Sequence, residues 1–181
     1  LMLATVVFAS DVHLSRPDFH APIGVMGDHG HKKDETMVSL RSMFMTMDTL
    51  LDGSQDISPS SVTGYMMVPE TMEMSMHMLG MMYGISDQWT GMPMVGYAEK
   101  TMAMLAMAGS STIQTNGLTD IKLCGLYTAT KTAKQLWLVD VGLSLPVGSI
   151  DEKDGGSTRL GYPMQLGSGT VDLLLGTTWS R

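Results

Sequence analysis

The sequence predicts an all-β protein built as an antiparallel up-and-down meander. Methionine recurs at every second position in four stretches, Met43-Met45-Met47, Met72-Met74-Met76-Met78, Met92-Met94 and Met102-Met104. Side chains of an extended strand alternate between two faces, so each stretch sets its thioethers in a row on one side of a sheet; a helix would scatter them around its circumference. A second signal is the stretch from Gln135 to Leu145, where Trp137, Val139, Val141, Leu143 and Leu145 alternate with Leu138, Asp140, Gly142 and Ser144. Turn-forming clusters divide the chain at hairpin spacing into about six such segments, which suits a meander, barrel or sandwich rather than an α/β fold.

The elements follow in order. Leu1 to Ser10 is a short apolar run with small residues at Ala9 and Ser10. It resembles the tail of a secretory leader more than a buried first strand, and it implies export. Asp11 to Asp34 is polar and broken by Pro17, Pro22, Gly24, Gly27 and Gly30, so residues 11–35 are expected to be irregular. A first strand over Thr36 to Met47 sets Val38, Leu40 and Phe44 against Arg41, Met43, Met45 and Met47. After turn formers at Asp52-Gly53 and Ser58-Pro59, a strand over Glu70 to Tyr83 carries Met72 to Met78 on one face and Glu73, Ser75 and His77 on the other.

The third segment, Met92 to Met104, contains Pro93, which cannot donate to a ladder and asks for an edge or a bulge. Its end, Thr101 to Ala108, also reads as a helical turn, since alanine and methionine favour helix. Gly109 to Asn116 reads as a loop, Leu118 to Tyr127 as a strand, and a last strand or pair falls around Met164 to Trp179 beyond the charged loop Asp151 to Gly156.

Composition narrows the function. A chain of 181 residues, 44% of them hydrophobic, is one domain by default. A net charge of −7 leaves no basic stripe for phosphates and excludes a nucleic-acid partner. The single Cys124 cannot form an intrachain disulfide. No stretch approaches about eighteen uninterrupted apolar residues, so helical membrane spans are excluded, whereas barrel strands are not. Asp120, Lys122 and Asp140 share faces opposite aliphatic and aromatic residues, and such charges are costly in a dry core. Two architectures satisfy them: a transmembrane barrel with a wet lumen and Tyr83, Tyr127, Trp137 and Trp179 near the lipid interfaces, or a sheet with one face in water.

The segments 20–31 (HAPIGVMGDHGH), 72–84 (MEMSMHMLGMMYG), 117–127 (GLTDIKLCGLY), 142–151 (GLSLPVGSID) and 162–176 (YPMQLGSGTVDLLLG) resemble a family of bacterial outer-membrane β-barrel transporters related to proteins of the meta-pathway of phenol degradation. Val171 and Leu175 stand where that family tends to have an aromatic residue and a proline. The resemblance implies an incomplete transmembrane β-barrel over 36–181, in the outer membrane of a Gram-negative bacterium. It implies lipid and a small-molecule solute as partners, homo-oligomers among the options, and no catalytic residues.

On that reading Arg41, Lys100, Asp120, Lys122 and Asp140 are the candidates to line a lumen and tune its selectivity. A second hypothesis is an exported copper-binding protein. Met26, His29 and His31, close to Asp28, His13 and His20, form a His-rich loop, and Met72, Met74, Met76 and Met78 offer thioethers suited to Cu(I). Neighbours in such a row stand about 6.8 Å apart, so chelation needs convergent side chains. A third hypothesis is a structural surface sheet. Enzyme chemistry has little footing: Ser144, Ser149 and Ser168 lack the strand-turn-helix setting of a nucleophile elbow, and Cys124 has no assignable partner.

Overall fold

The computed structural model describes residues 26–106, 109–132, 135–156 and 158–180. The leader-like run at 1–10 and the histidines His13 and His20 lie outside the described residues. From Met26 to Glu35 the chain has no regular element. Among the described residues nine strands follow: β1 (Thr36–Met47), β2 (Leu50–Asp52), β3 (Gln55–Ile57), β4 (Met67–Gly84), β5 (Trp89–Ala106), β6 (Gly109–Leu118), β7 (Ile121–Lys131), β8 (Leu136–Leu145) and β9 (Asp172–Ser180). β2 and β3 form a small separate hairpin. The other seven make one antiparallel sheet in the order β1-β4-β5-β7-β8-β9, with β6 also paired to β5.

β5 is shared along its length. Its first part, Trp89 to Met94, pairs with β7, and Tyr97 to Ala106 pairs with β6. Since β6 and β7 are consecutive and both antiparallel to β5, they act as one long strand interrupted at Thr119 and Asp120. The Thr119 N–H donates to the Gly96 carbonyl at 2.8 Å and holds the interruption against β5. Thr101 to Ala106 is therefore strand rather than helical turn: pairing on both sides outweighs the modest helix preference of methionine and alanine. The segment read as a loop at 109–116 is likewise strand. Pro93 is accommodated because the β4–β5 ladder has a gap opposite it, with no pairs among the described residues between Gly80–Met94 and Tyr83–Gly91, although the register is the same on both sides.

The register gathers all four methionine rows on one face. Met43, Met45 and Met47 stand opposite Met76, Met74 and Met72, and Met72 in turn faces Met102. Two packed clusters form on this face. One joins Met82, Met92, Met94, Cys124 and Leu126, with Met26, Met37 and Leu174 against it. The other joins Met72 and Met102 to Leu160 and Met164 from the β8–β9 connection. Methionine, unbranched and polarizable, fills the irregular space between sheet and covering chain.

The opposite face is open. Leu40, Phe44, Leu79, Trp89, Leu123, Trp137, Val141, Leu173, Leu175 and Trp179 are all exposed on it, Phe44 at 76% and Leu175 at 72%. An apolar surface of this breadth is the kind that meets another apolar surface.

The sheet does not close. β1 and β9 are its outer strands, and among the described residues no pairing joins them. This corrects the expected partial transmembrane barrel, and with it the outer-membrane location and the transporter or channel role that rested on closure. Alternation fixes which residues share a face, but closure needs a consistent tilt and stagger around the whole sheet, which alternation does not encode. The face expected to surround a wet lumen is instead covered by the protein's own chain: Met26 to His31 at one end, and the long connection between β8 and β9 at the other.

Candidate ligand-binding cleft

The connection from Pro146 to Val171 folds back over the methionine face as a strap, with one 3-10 turn at Tyr162–Met164. Gln165, only 4% exposed, organises it. Its side-chain carbonyl accepts the Glu152 N–H at 3.0 Å and its amide donates to the Leu160 carbonyl at 2.8 Å. The N–H groups of Leu166 and Gly167 both reach the Ser149 carbonyl at 3.0 Å. The two limbs of the strap touch backbone to backbone at Gly148 and Gly167, where a Cβ on Gly148 would sit 2.7 Å from the Gly167 Cα. Only glycine permits that approach.

Charged and polar side chains of the sheet tie the strap down. Asp120, at the break between β6 and β7, accepts the Gly148 N–H at 3.0 Å on one oxygen and the Ser168 N–H at 2.8 Å on the other. Burial alone would raise the Asp120 pKa, but the hydrogen bonds from Ser168 and Gly148 and the nearby Lys122 charge outweigh it and hold the carboxyl below its ordinary range. From β5, the Lys100 ammonium donates to the carbonyls of Pro163 (2.8 Å) and Gln165 (2.6 Å), and burial lowers its pKa. The Thr115 hydroxyl donates to the Met164 carbonyl at 2.8 Å.

Between strap and sheet lies a cleft of about 290 Å³. Its floor is thioether, from Met74, Met76, Met78 and Met94. Its roof is Tyr162, Pro163, Leu166 and Gly167 of the strap, and its polar margin is Lys100, Asp120, Lys122 and Ser144. A smaller recess nearby shares Met78 and Met94 and is bounded by Met26, Asp28 and Arg41.

Three of the five charged residues singled out from sequence, Lys100, Asp120 and Lys122, thus converge on one cleft, although two of them anchor the strap. Arg41 borders the smaller recess. Asp140 stands apart on the covered face of β8, opposite Leu126 of β7 and Gly176 of β9. Its Oδ1 is buried without a hydrogen-bond partner among the described residues, and burial pushes its pKa up. A carboxyl whose pKa rises on folding favours the fold only at pH below its ordinary value, and that contribution is lost as pH climbs through the raised one. Asp140→Asn is therefore expected to raise stability at pH 7 by about 1 kcal/mol in urea denaturation and to narrow the gain at acid pH. A loss at pH 7 would contradict this account of Asp140.

The copper hypothesis is corrected. Among the described residues no group of three or more histidine, cysteine, aspartate or glutamate side chains is arranged to hold a metal ion. His29 Nδ1 is 2.8 Å from Asp28 Oδ1, its ring meets His31 edge-on at 4.9 Å, and Met26 packs into the apolar cluster. The His31 N–H donates to Thr90 Oγ1 at 2.9 Å, which seats this segment on β5. Met72 is buried under the strap, and Met74, Met76 and Met78 form the cleft floor. The third hypothesis, a structural surface sheet, likewise gains no feature that favours it, since the methionine face is occupied by a folded strap over a cleft.

Ser144 is 5% exposed and lines the cleft, a position its neighbours in the sequence do not indicate. Its register opposite Lys122 was the missing signal. The chain matches no protein-family model, no curated protein and no solved structure, so the resemblance to outer-membrane transporters gains no support.

Proposed function

We propose that the protein is a binding module, without chemistry of its own, that holds a small and largely apolar organic molecule in the cleft between the thioether floor and the strap. The observation that carries this reading is the cleft itself. Its volume lies at the lower end of small-molecule sites, its walls are mainly apolar, and a few polar groups converge at one margin. A methionine floor suits such a role because flexible, polarizable side chains adapt to different ligand shapes.

The test uses protein labelled with ¹³C at its methionine methyls and titrated with octan-1-ol. Saturable shifts are expected at Met74, Met76, Met78 and Met94, with the Trp137 indole N–H on the open face unmoved. Shifts at the Trp137 indole without a saturable response from the cleft methionines would reject the proposal, because they would locate binding on the open face.

A further inference from the structure

We infer that the cleft prefers amphipathic monoanions, an organic carboxylate with an extended apolar tail, and that Lys122 and Ser144 receive the head group. The inference rests on the binding role proposed above and adds charge selectivity to it. Of the three ionised groups at the margin, two are committed to the strap. Both Asp120 oxygens accept backbone N–H groups, and the Lys100 ammonium donates to two backbone carbonyls.

Lys122 differs. Its side chain faces the cleft between Met94 on β5 and Ser144 on β8, directly opposite each in register. No hydrogen bond or ion pair with the described residues engages its ammonium. The Ser144 hydroxyl beside it is also without a hydrogen bond among the described residues, on a residue 5% exposed. An ammonium and a hydroxyl on adjacent strands present two donors to one carboxylate, and a charge-assisted bond is the stronger kind.

The charge balance agrees. Lys100 and Lys122 against Asp120 leave one positive charge at the margin, and Asp120 is turned to the strap's N–H groups. The thioethers of Met74, Met76 and Met78 run from this margin along β4 and supply the surface for a tail. A cleft of about 290 Å³ equals roughly ten water volumes, the scale of a short-chain carboxylate rather than a long lipid.

The experiment compares octanoate, octan-1-ol and octylammonium by the same methionine-methyl titration, on the unaltered protein and on Lys122→Gln and Ser144→Ala. Octanoate is expected to bind at least about tenfold more tightly than octan-1-ol, and octylammonium more weakly than either. Lys122→Gln should abolish the octanoate preference, bringing octanoate and octan-1-ol to similar affinities, while Ser144→Ala should reduce the preference in part. Equal affinity for octanoate and octan-1-ol, or an octanoate preference that survives Lys122→Gln, overturns the inference and leaves the binding role standing. Failure of all three to shift the cleft methionines overturns both.

Discussion

Truncating Leu126 to alanine should lower the free energy of unfolding by about 3–4 kcal/mol. Leu126 is 1% exposed and packs with Met82, Met92, Met94 and Cys124. It also meets the covering segment: a Cβ on Gly27, whose φ is +68°, would lie 2.8 Å from a Leu126 methyl. The truncation therefore removes apolar area and opens a void between sheet and cover. Leucine-to-alanine changes in cores span about 2–5 kcal/mol, and the flexible methionines around this site relax into part of the space, which sets the middle of that range. Urea denaturation measures it, with Leu126→Met as the volume-conserving control expected to cost less than about 1.5 kcal/mol. A loss under 1 kcal/mol for the alanine variant would mean that the cluster is not the organising core.

The second large effect is expected at Asp120. Removing its carboxylate by Asp120→Ala leaves the Gly148 and Ser168 N–H groups without their acceptor and should cost about 2–3 kcal/mol. The sign with pH is opposite to that of Asp140. Because folding lowers the Asp120 pKa, its contribution is complete above the ordinary carboxylate range and is lost as acid carries the group through the depressed value. Hydrogen exchange provides the local readout. The amides of Gly148, Leu166 and Ser168 should lose protection in Asp120→Ala at pH 7 while β8 keeps its own, and the unaltered protein should approach the same pattern in acid. Unchanged protection at Gly148 and Ser168 would show that Lys100, Thr115 and the buried Leu160 and Met164 hold the strap without Asp120.

Much of the sheet was legible in the sequence because its strands have two unlike faces. β1 begins and ends where the alternation of Val38, Leu40 and Phe44 with arginine and methionine does, and β8 matches the alternation around Trp137. β6 was not legible. Gly109, Ser110, Ser111, Thr112 and Gln114 carry no alternating apolar signal, and the segment is a strand because β5 pairs with it. Whether the outer strands meet is a property of the whole sheet and has no local signature, which is why the two architectures compatible with the alternation could not be separated from it.

The candidate site was half visible. Lys100, Asp120 and Lys122 stood out as charges on faces that otherwise carry apolar or small residues, but the strap that gives them their different duties comes from residues 146–171, whose turn-rich composition gave no hint of where it docks. Gln165 and Ser144 were invisible for the same reason: their importance comes from partners across the fold, not from their neighbours in the chain.

Because most strands of the large sheet lie beside the one before them in the chain, with β7 continuing the line of β6 along β5, most loop closures during folding stay short and most new ladders add to an existing edge. The strap cannot share that order. Its tethers come from β5, from β6 and from the junction ahead of β7, so it has nowhere to settle until those strands are in place. Docking it is the late step of assembly, and lifting it is the early step of disassembly. A molecule lodged beneath it would then make its presence felt chiefly by slowing escape from the native state.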